Sequence, residues 1–219
     1  MPNWCVCNLA VRGEQKELKA FTDLLNSLPE RTAPSENDFG PFWMGTLADA
    51  LGGDWRTGPF RGVVCPDPQV SAGWTCTEPE IVPFEICPDG ILRMSTCSAW
   101  SIPYGFFDLI KSKYPSLEFF FKATDEFGNF HVVDDPDCLV DDVRFELGGL
   151  DCYRTYKEDK KAAFIKDLQE VLVKPFPVKD DQPLDEAFVD QCYKFWEQNH
   201  GEDEITPEII VWTQRKRNV

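Results

Sequence analysis

The prediction of the fold starts from the segment WCVCNLAVR at residues 4–12. Its side chains fall into two alternating sets, with Cys5, Cys7, Leu9 and Val11 in one and Val6, Asn8 and Ala10 in the other. A repeat of two is the period at which the side chains of a β-strand return to the same face. The stretch therefore predicts a first strand, and Gly13 marks its end.

The elements predicted after this strand follow the order β-α-β-β-α-β-β. Residues 14–28 carry apolar side chains three and four positions apart, which predicts a helix. Two strands at residues 81–87 and 91–100 are joined by the turn Pro88-Asp89-Gly90, and a helix then runs to Lys113. Further strands are predicted at residues 117–125, 130–133 and 143–147. This order indicates an α+β fold of the ferredoxin-like (split βαβ) type with an antiparallel sheet.

Two segments lie outside that pattern. Residues 29–79 form a long insertion after the first helix, and its aromatic side chains favour a segment folded onto the sheet, with a short helix at residues 43–51. Helical spacing at residues 158–172 and after Pro183, with a capped start at residues 206–208, predicts a helical C-terminal extension. We therefore predict a ferredoxin-like domain over residues 1–150 and a helical extension packed on it over residues 151–219.

Composition excludes several classes of protein. The 219 residues include 38 Asp and Glu against 22 Lys and Arg, a net charge of −16, which argues against direct binding of nucleic acid. No apolar run is long enough to predict a membrane span, and the first residues lack the pattern of a secretory signal. We expect a cytoplasmic protein whose nine cysteines, an odd number, are free thiols.

No motif predicts catalysis or a cofactor. The pair Cys5 and Cys7 lacks the second pair of ligands that a zinc site needs, and the sequence holds no phosphate-binding glycine loop. His131 stands near Asp134 and Asp135, so a Cys-His-Asp nucleophile system is conceivable. We nevertheless expect a protein that is not an enzyme, with no cofactor and no metal.

Three stretches of the sequence belong together: MPNWC at residues 1–5 with Asn8, Leu9, Val11 and Gly13; SAWSIP at residues 98–103 with YPSLEF at residues 114–119; and DEFGNF at residues 125–130. They resemble the YubB-like proteins, which are encoded on phages, plasmids and integrated elements. The resemblance covers roughly residues 1–135 and implies a ferredoxin-like fold in a protein of a mobile genetic element. It implies no biochemical function and no catalytic residues. The sequence departs from the family at residues 132–135, where such proteins usually have a glycine.

The acidic residues carry the functional prediction. A net charge of −16 exceeds the magnitude of ~2–8 that keeps a small domain soluble, so we expect the excess to serve binding. The predicted partner is a host protein with a basic surface, and we expect the chain to inhibit a host nucleic-acid-binding defence system by mimicking the charge of nucleic acid. The predicted partner-binding residues are Asp134, Asp135, Asp137, Asp141, Asp142, Glu146, Asp180, Asp181, Asp185 and Glu186.

Two other functions remain open from the sequence. The chain is alternatively a small ligand-binding protein or enzyme that uses the insertion and one sheet face, with His131 near a cysteine. It is alternatively a structural or regulatory homo-oligomer that assembles through its sheet. A single contiguous acidic face would favour the first function over these two.

Overall fold

The computed structural model describes residues 3–37, 39–58, 60–66, 83–141, 143–148, 153–172, 176–178, 182–199 and 206–214. These residues form a mixed α+β protein with five α-helices, none of which is long and apolar enough to cross a membrane. The chain divides into two units. The first unit is Met1–Phe130 with Asp134–Val140, and the second is His131–Val133 with Asp141–Val219.

Four strands of the first unit lie side by side in the order β2-β3-β1-β4. They are β1 (Trp4–Arg12), β2 (Gly62–Cys65), β3 (Leu92–Ala99) and β4 (Glu118–Asp125). Every adjacent pair is antiparallel, and Cys5 of β1 stands opposite Ser98 of β3 and Asp125 of β4. The predicted bounds of the first strand, Trp4 and Arg12, are confirmed. Its side chains are buried on both faces of the sheet.

The helices of the first unit are α1 (Gln15–Asn26), α2 (Met44–Ala50) and α3 (Tyr104–Lys113). Helix α1 buries the stripe formed by Leu18, Phe21 and Leu25, as its spacing predicts. Helix α3 packs on β4, where the Phe107 ring stacks on the Phe119 ring with 4.9 Å between centroids. The short helix predicted inside the insertion is confirmed as α2.

The predicted strand at residues 81–87 is wrong over the part that the structure describes. Residues 81 and 82 lie outside the described residues, and the rest forms only an isolated bridge between Ile86 and Leu92. The predicted turn is present, with Gly90 at φ 79° and the Cys87 N–H bonded to the Ile91 carbonyl at 2.8 Å. The strand that pairs with the outer side of β3 is instead β2, which belongs to the predicted insertion.

The second unit contains more strands than the sequence predicts. After β5 (His131–Asp134), whose first three residues belong to this unit, come β6 (Val143–Gly148), β7 (Tyr153–Lys157), α4 (Lys161–Val171), α5 (Glu186–Asn199), β8 (Glu208–Val211) and β9 (Thr213–Gln214). Strands β7, β6 and β8 form an antiparallel sheet in that order, and β5 pairs with β9 in parallel. The predicted helical extension is therefore an α+β unit that starts before residue 151.

The core of the second unit lies between its sheet and its two helices. The Phe145 ring of β6 stacks on the Phe164 ring of α4 with 5.1 Å between centroids. Helix α5 adds the buried side chains of Phe188, Cys192 and Trp196 to the same cluster. The helical stripes predicted from the sequence are thus confirmed, although the sheet on which they pack was missed.

Candidate functional site

Three of the ten predicted partner-binding residues are buried. Asp134, Asp135 and Glu146 are each at most 9% exposed, and Asp135 is 0% exposed. Burial removes these three carboxylates from the exposed acidic surface that the sequence predicts. Asp142, Asp180 and Asp181 lie outside the described residues.

Asp135 closes the loop that follows β5. Its carboxylate accepts hydrogen bonds from the backbone N–H groups of Leu139 and Val140, both at 2.8 Å. Those two residues pack against the cluster of Ala10, Ile91 and Phe120 on the first unit's sheet. A buried carboxylate needs such donors, because an unpaired buried charge is costly. Asp135 is therefore a structural residue.

Glu146 has a comparable internal role in the second unit. Its carboxylate accepts a hydrogen bond from the indole Nε1–H of Trp212. The backbone N–H of Trp212 also bonds to the Arg144 carbonyl, at 3.0 Å. The edge of the His131 ring meets the Trp212 ring with 5.2 Å between centroids, so His131 belongs to the packing around this tryptophan.

The other predicted acidic residues are spread over both units. Asp137 pairs with Arg12 at 2.9 Å in the first unit. In the second unit, Asp141 accepts a bond from the Val143 N–H at 2.9 Å, and Asp185 accepts one from the Phe188 N–H at 3.0 Å in the first turn of α5. Glu186 is exposed at the start of α5. Most of the predicted partner-binding residues that the structure describes thus accept hydrogen bonds or form ion pairs within the protein.

The buried thiols are poorly suited to nucleophilic chemistry. Burial, with contributions from Cys97 and Asp125, raises the pKa of Cys5 to about 12. Burial also raises the pKa of Cys7, and it raises that of Cys192 to about 12. A thiol in this state is neutral at pH 7, whereas nucleophiles and metal ligands are thiolates. Within the described ranges, no group of three or more His, Cys, Asp or Glu side chains is arranged to hold a metal ion.

Cys65 differs from the prediction that all cysteines are free. It is disulfide-bonded, and its side chain is buried in the cluster that also contains Val6, Val63 and Cys97. The described free cysteines are Cys5, Cys7, Cys87, Cys97, Cys138 and Cys192.

Large exposed aromatic side chains mark one end of the first unit's sheet. Strand β3 ends opposite Trp4, and the next residue, Trp100, donates its backbone N–H to the Asn3 carbonyl at 2.7 Å. Trp100 has φ 78°, in the left-handed region that non-glycine residues rarely occupy. Its side chain is 61% exposed. The hydrogen bond and the backbone conformation together hold a tryptophan ring in solvent.

Phe127 stands on the other side of β1 at the same end. Strand β4 ends opposite Cys5, and the next residue, Glu126, donates its backbone N–H to the Trp4 carbonyl at 2.7 Å. Phe127 follows in a turn closed by Gly128 at φ 68°, and it is 72% exposed. Because β3 and β4 both flank β1, their backbones lie about 10 Å apart. We call the surface formed by Asn3, Trp4, Trp100, Glu126 and Phe127 the aromatic end.

A buried carboxylate, that of Asp125, connects the segments that form the aromatic end. Asp125 accepts hydrogen bonds from the side-chain amides of Asn3 and Asn129 and from the Asn129 backbone N–H. Burial by itself raises the pKa of Asp125, but these hydrogen bonds outweigh it and hold the pKa below its ordinary value. Asp125 therefore stays ionised and ties the start of β1 to the turn that carries Phe127.

The sequence predicts no role for this surface. Trp100 falls at the end of a predicted strand and Phe127 lies between two predicted strands. The available signal was residue type, because tight turns favour Gly, Pro, Asn, Asp and Ser over large aromatic side chains. The left-handed conformation of Trp100 has no signature in the sequence.

Comparison with known proteins identifies no relative: no protein-family model, no curated protein and no solved structure matches this chain. The resemblance to YubB-like proteins therefore stays a prediction.

Proposed function

We propose that this chain is a non-enzymatic protein-binding protein whose partner docks at the aromatic end. One observation carries the proposal: Trp100 is 61% exposed while its backbone is held in a left-handed conformation. That conformation costs a residue with a Cβ roughly 1–2 kcal/mol. Backbone strain of this kind is concentrated at functional sites. Tryptophan is typical of binding hot spots, so we assign the exposed ring to partner binding.

Charge supports a basic partner. The net charge of −16 attracts positively charged surfaces over long range and accelerates encounter with them. We therefore retain a host protein with a basic surface as the proposed partner, with a nucleic-acid-binding defence protein as the example. The proposal differs from the sequence-based one in where affinity arises: aromatic contacts hold the partner, and carboxylates steer it.

The proposed setting is a mobile genetic element in a host cell's cytoplasm, as the resemblance to YubB-like proteins implies. The strand order β2-β3-β1-β4 supports the ferredoxin-like part of that resemblance. Helix α1 follows β1 in sequence, α3 follows β3, and β3 lies between β1 and β2 in the sheet. This is the connectivity of a split βαβ unit, so we propose a ferredoxin-like fold for the first unit.

Binding of a small ligand on the sheet receives less support. On the face of β1 and β4 that points away from Phe119, the side chains of Val6, Ala10, Phe120 and Lys122 are at most 5% exposed, whereas Asn8 and Thr124 are partly exposed. A ligand would need this face to be accessible. The buried thiols with raised pKa values also count against a cysteine-dependent enzyme.

The experiment compares capture of host proteins by variants of the tagged full chain. The double variant Trp100→Ala with Phe127→Ala is the test, and Tyr153→Ala is the matched control because Tyr153 of β7 is 57% exposed. We expect a host protein to bind the original chain and the control but not the double variant. Equal capture by all three would contradict the proposal. A dimer of the original chain that becomes a monomer in the double variant would also contradict it, since the aromatic end would then bind a second copy.

A further inference from the structure

Two arginines of this chain, Arg12 and Arg56, each lie beside an aromatic ring and a carboxylate. The Arg12 guanidinium lies 4.8 Å from the centre of the Phe120 ring. It also pairs with Glu118 at 3.0 Å and with Asp137 at 2.9 Å. A planar guanidinium suits this setting, because its face stacks on a ring while its edge donates hydrogen bonds to carboxylate oxygens.

Arg56 repeats the arrangement in the segment before β2. Its guanidinium lies 4.5 Å from the centre of the Trp55 ring and 3.9 Å from an Asp54 carboxylate oxygen. The one comparable lysine contact among the described residues is longer, with Lys111 Nζ 6.0 Å from the Phe119 ring centre. Arg12 and Arg56 thus each lie beside both an aromatic ring and a carboxylate.

The aromatic end presents the same components without a cation. Glu126 and Phe127 are consecutive and exposed, and Trp100 stands on the far side of β1. Among the described residues, no cation lies over the Trp100 or Phe127 ring and none pairs with Glu126. The Glu126 carboxylate accepts a long hydrogen bond from the Trp4 backbone N–H, at 3.4 Å.

We infer that the partner inserts an arginine side chain at the aromatic end, with its guanidinium on the ring of Phe127 and against the carboxylate of Glu126. This inference rests on the proposed function and adds the chemistry of the contact. The guanidinium supplies the missing cation, and its loss of water on stacking is cheaper than that of an ammonium group. Arg61 is an exposed cation, and its backbone carbonyl accepts the N–H of Ala99, the residue before Trp100, at 2.9 Å. The partner's arginine is therefore placed on the Glu126 side.

The test uses two soluble probes, an oligo-arginine peptide and an oligo-lysine peptide of equal length and charge. Binding of each to the full chain is measured by titration calorimetry at physiological salt, where steering by distant charges is largely screened. We expect the arginine peptide to bind more tightly. Its affinity should fall roughly two- to fivefold in Phe127→Leu, the loss expected for one exposed cation–aromatic contact. It should fall by up to about fivefold in Glu126→Gln, which removes an exposed ion pair.

Phe127→Leu keeps an apolar side chain and removes only the ring, so it separates stacking from apolar contact. Tyr153→Leu is the control, and its affinities should not change. Equal binding of the two peptides, or unchanged arginine affinity in both Glu126→Gln and Phe127→Leu, would overturn the inference. The two proposals fail separately. A host protein lost from the Trp100→Ala, Phe127→Ala double variant, with no arginine preference, leaves the proposed function standing and removes the arginine. An arginine preference that depends on Glu126 and Phe127, with equal capture of host proteins by the double variant, would contradict the proposed function and leave the arginine site standing.

Discussion

Trp100 donates its backbone N–H to the Asn3 carbonyl at 2.7 Å, and this bond joins the end of β3 to the start of β1. Asn3 also donates its side-chain amide to Asp125, the last residue of β4. Asn3 therefore links the two strands that flank β1 at the point where Trp100 and Phe127 are exposed. The aromatic end is built on three adjacent strands, which fixes the backbone from which Trp100 and Phe127 extend.

The left-handed backbone of Trp100 leads to a comparison of two variants. Trp100→Ala and Trp100→Gly both remove the ring, but only alanine keeps the Cβ that is strained at φ 78°. We expect the glycine variant to be more stable than the alanine variant by roughly 1 kcal/mol, measured by urea unfolding. A glycine variant that is equal or less stable would mean that Trp100 is not left-handed in solution.

The fold was predictable where one residue pattern dominates. The first strand is confirmed from Trp4 to Arg12, a run of nine residues without proline or glycine in which the side chains of both faces are largely apolar and buried. Strand β2 was missed because Gly62–Cys65 is short, wholly buried and without alternation. Strand β7 was missed for the opposite reason, since most of Tyr153–Lys157 is exposed. At residues 206–208, a Thr-Pro-Glu pattern typical of a helix start precedes strand β8, where Ile209 and Val211 are buried.

Asp125 predicts a dependence of stability on pH. Its pKa in the folded protein lies below the ordinary value of 3.8, because hydrogen bonds from Asn3 and Asn129 outweigh the effect of burial. The stabilisation is therefore fully present above pH ~3.9 and is lost as the pH falls through the lowered pKa. We expect Asp125→Asn to lower the free energy of unfolding at pH 7 by ~1–3 kcal/mol, since an amide cannot accept all of these bonds.

The measurement is urea unfolding of the original chain and Asp125→Asn from pH 7 down to the acid limit. The difference in unfolding free energy between the two proteins should become smaller as the pH falls below ~3.9, because a protonated Asp125 resembles the amide of asparagine. A difference that stays constant with pH would contradict an ionised, hydrogen-bonded Asp125.

Asp135 and Asp137 test the distinction between buried and exposed acidic residues. Asp135→Ala leaves the N–H groups of Leu139 and Val140 without their acceptor and should cost roughly 1–3 kcal/mol of unfolding free energy. Asp137→Ala removes an exposed ion pair with Arg12 and should cost about 0–1 kcal/mol. Thermal unfolding of both variants provides the comparison. Equal losses would contradict the burial of Asp135.

The candidate site was less predictable than the fold. The run of acidic residues at 134–146 has the pattern of a charged surface. Asp135 nevertheless accepts hydrogen bonds from residues four and five positions later, and Glu146 accepts one from Trp212, which lies between β8 and β9. A sequence cannot distinguish a carboxylate that closes a loop from one that faces solvent, because both stand among polar neighbours. Exposure of Trp100 and Phe127 likewise depends on where β3 and β4 end relative to β1.

Tyr156 provides a test in the second unit at alkaline pH. Burial, together with the hydrogen bond that its hydroxyl donates to Asp167 at 2.7 Å, raises the pKa of Tyr156 to about 12, whereas Arg154 acts to lower it. The raised pKa means that the folded state favours the neutral phenol. The stabilisation is complete below pH ~10, the unfolded value, and is lost as the pH rises through about 12.

Tyr156→Phe removes the hydroxyl but keeps the ring that packs on Phe164, 5.5 Å away between centroids. We expect it to cost about 1 kcal/mol at pH 7, the net value of a typical hydrogen bond. The free energy of unfolding of both proteins, measured between pH 8 and pH 12, shows whether the Tyr156 hydroxyl loses its stabilising effect as the pH rises. The original chain should lose stability faster than Tyr156→Phe above pH ~10, because only the original has a phenol at this site that must ionise next to Asp167. Parallel losses in the two proteins would mean that Tyr156 does not donate to Asp167 in solution.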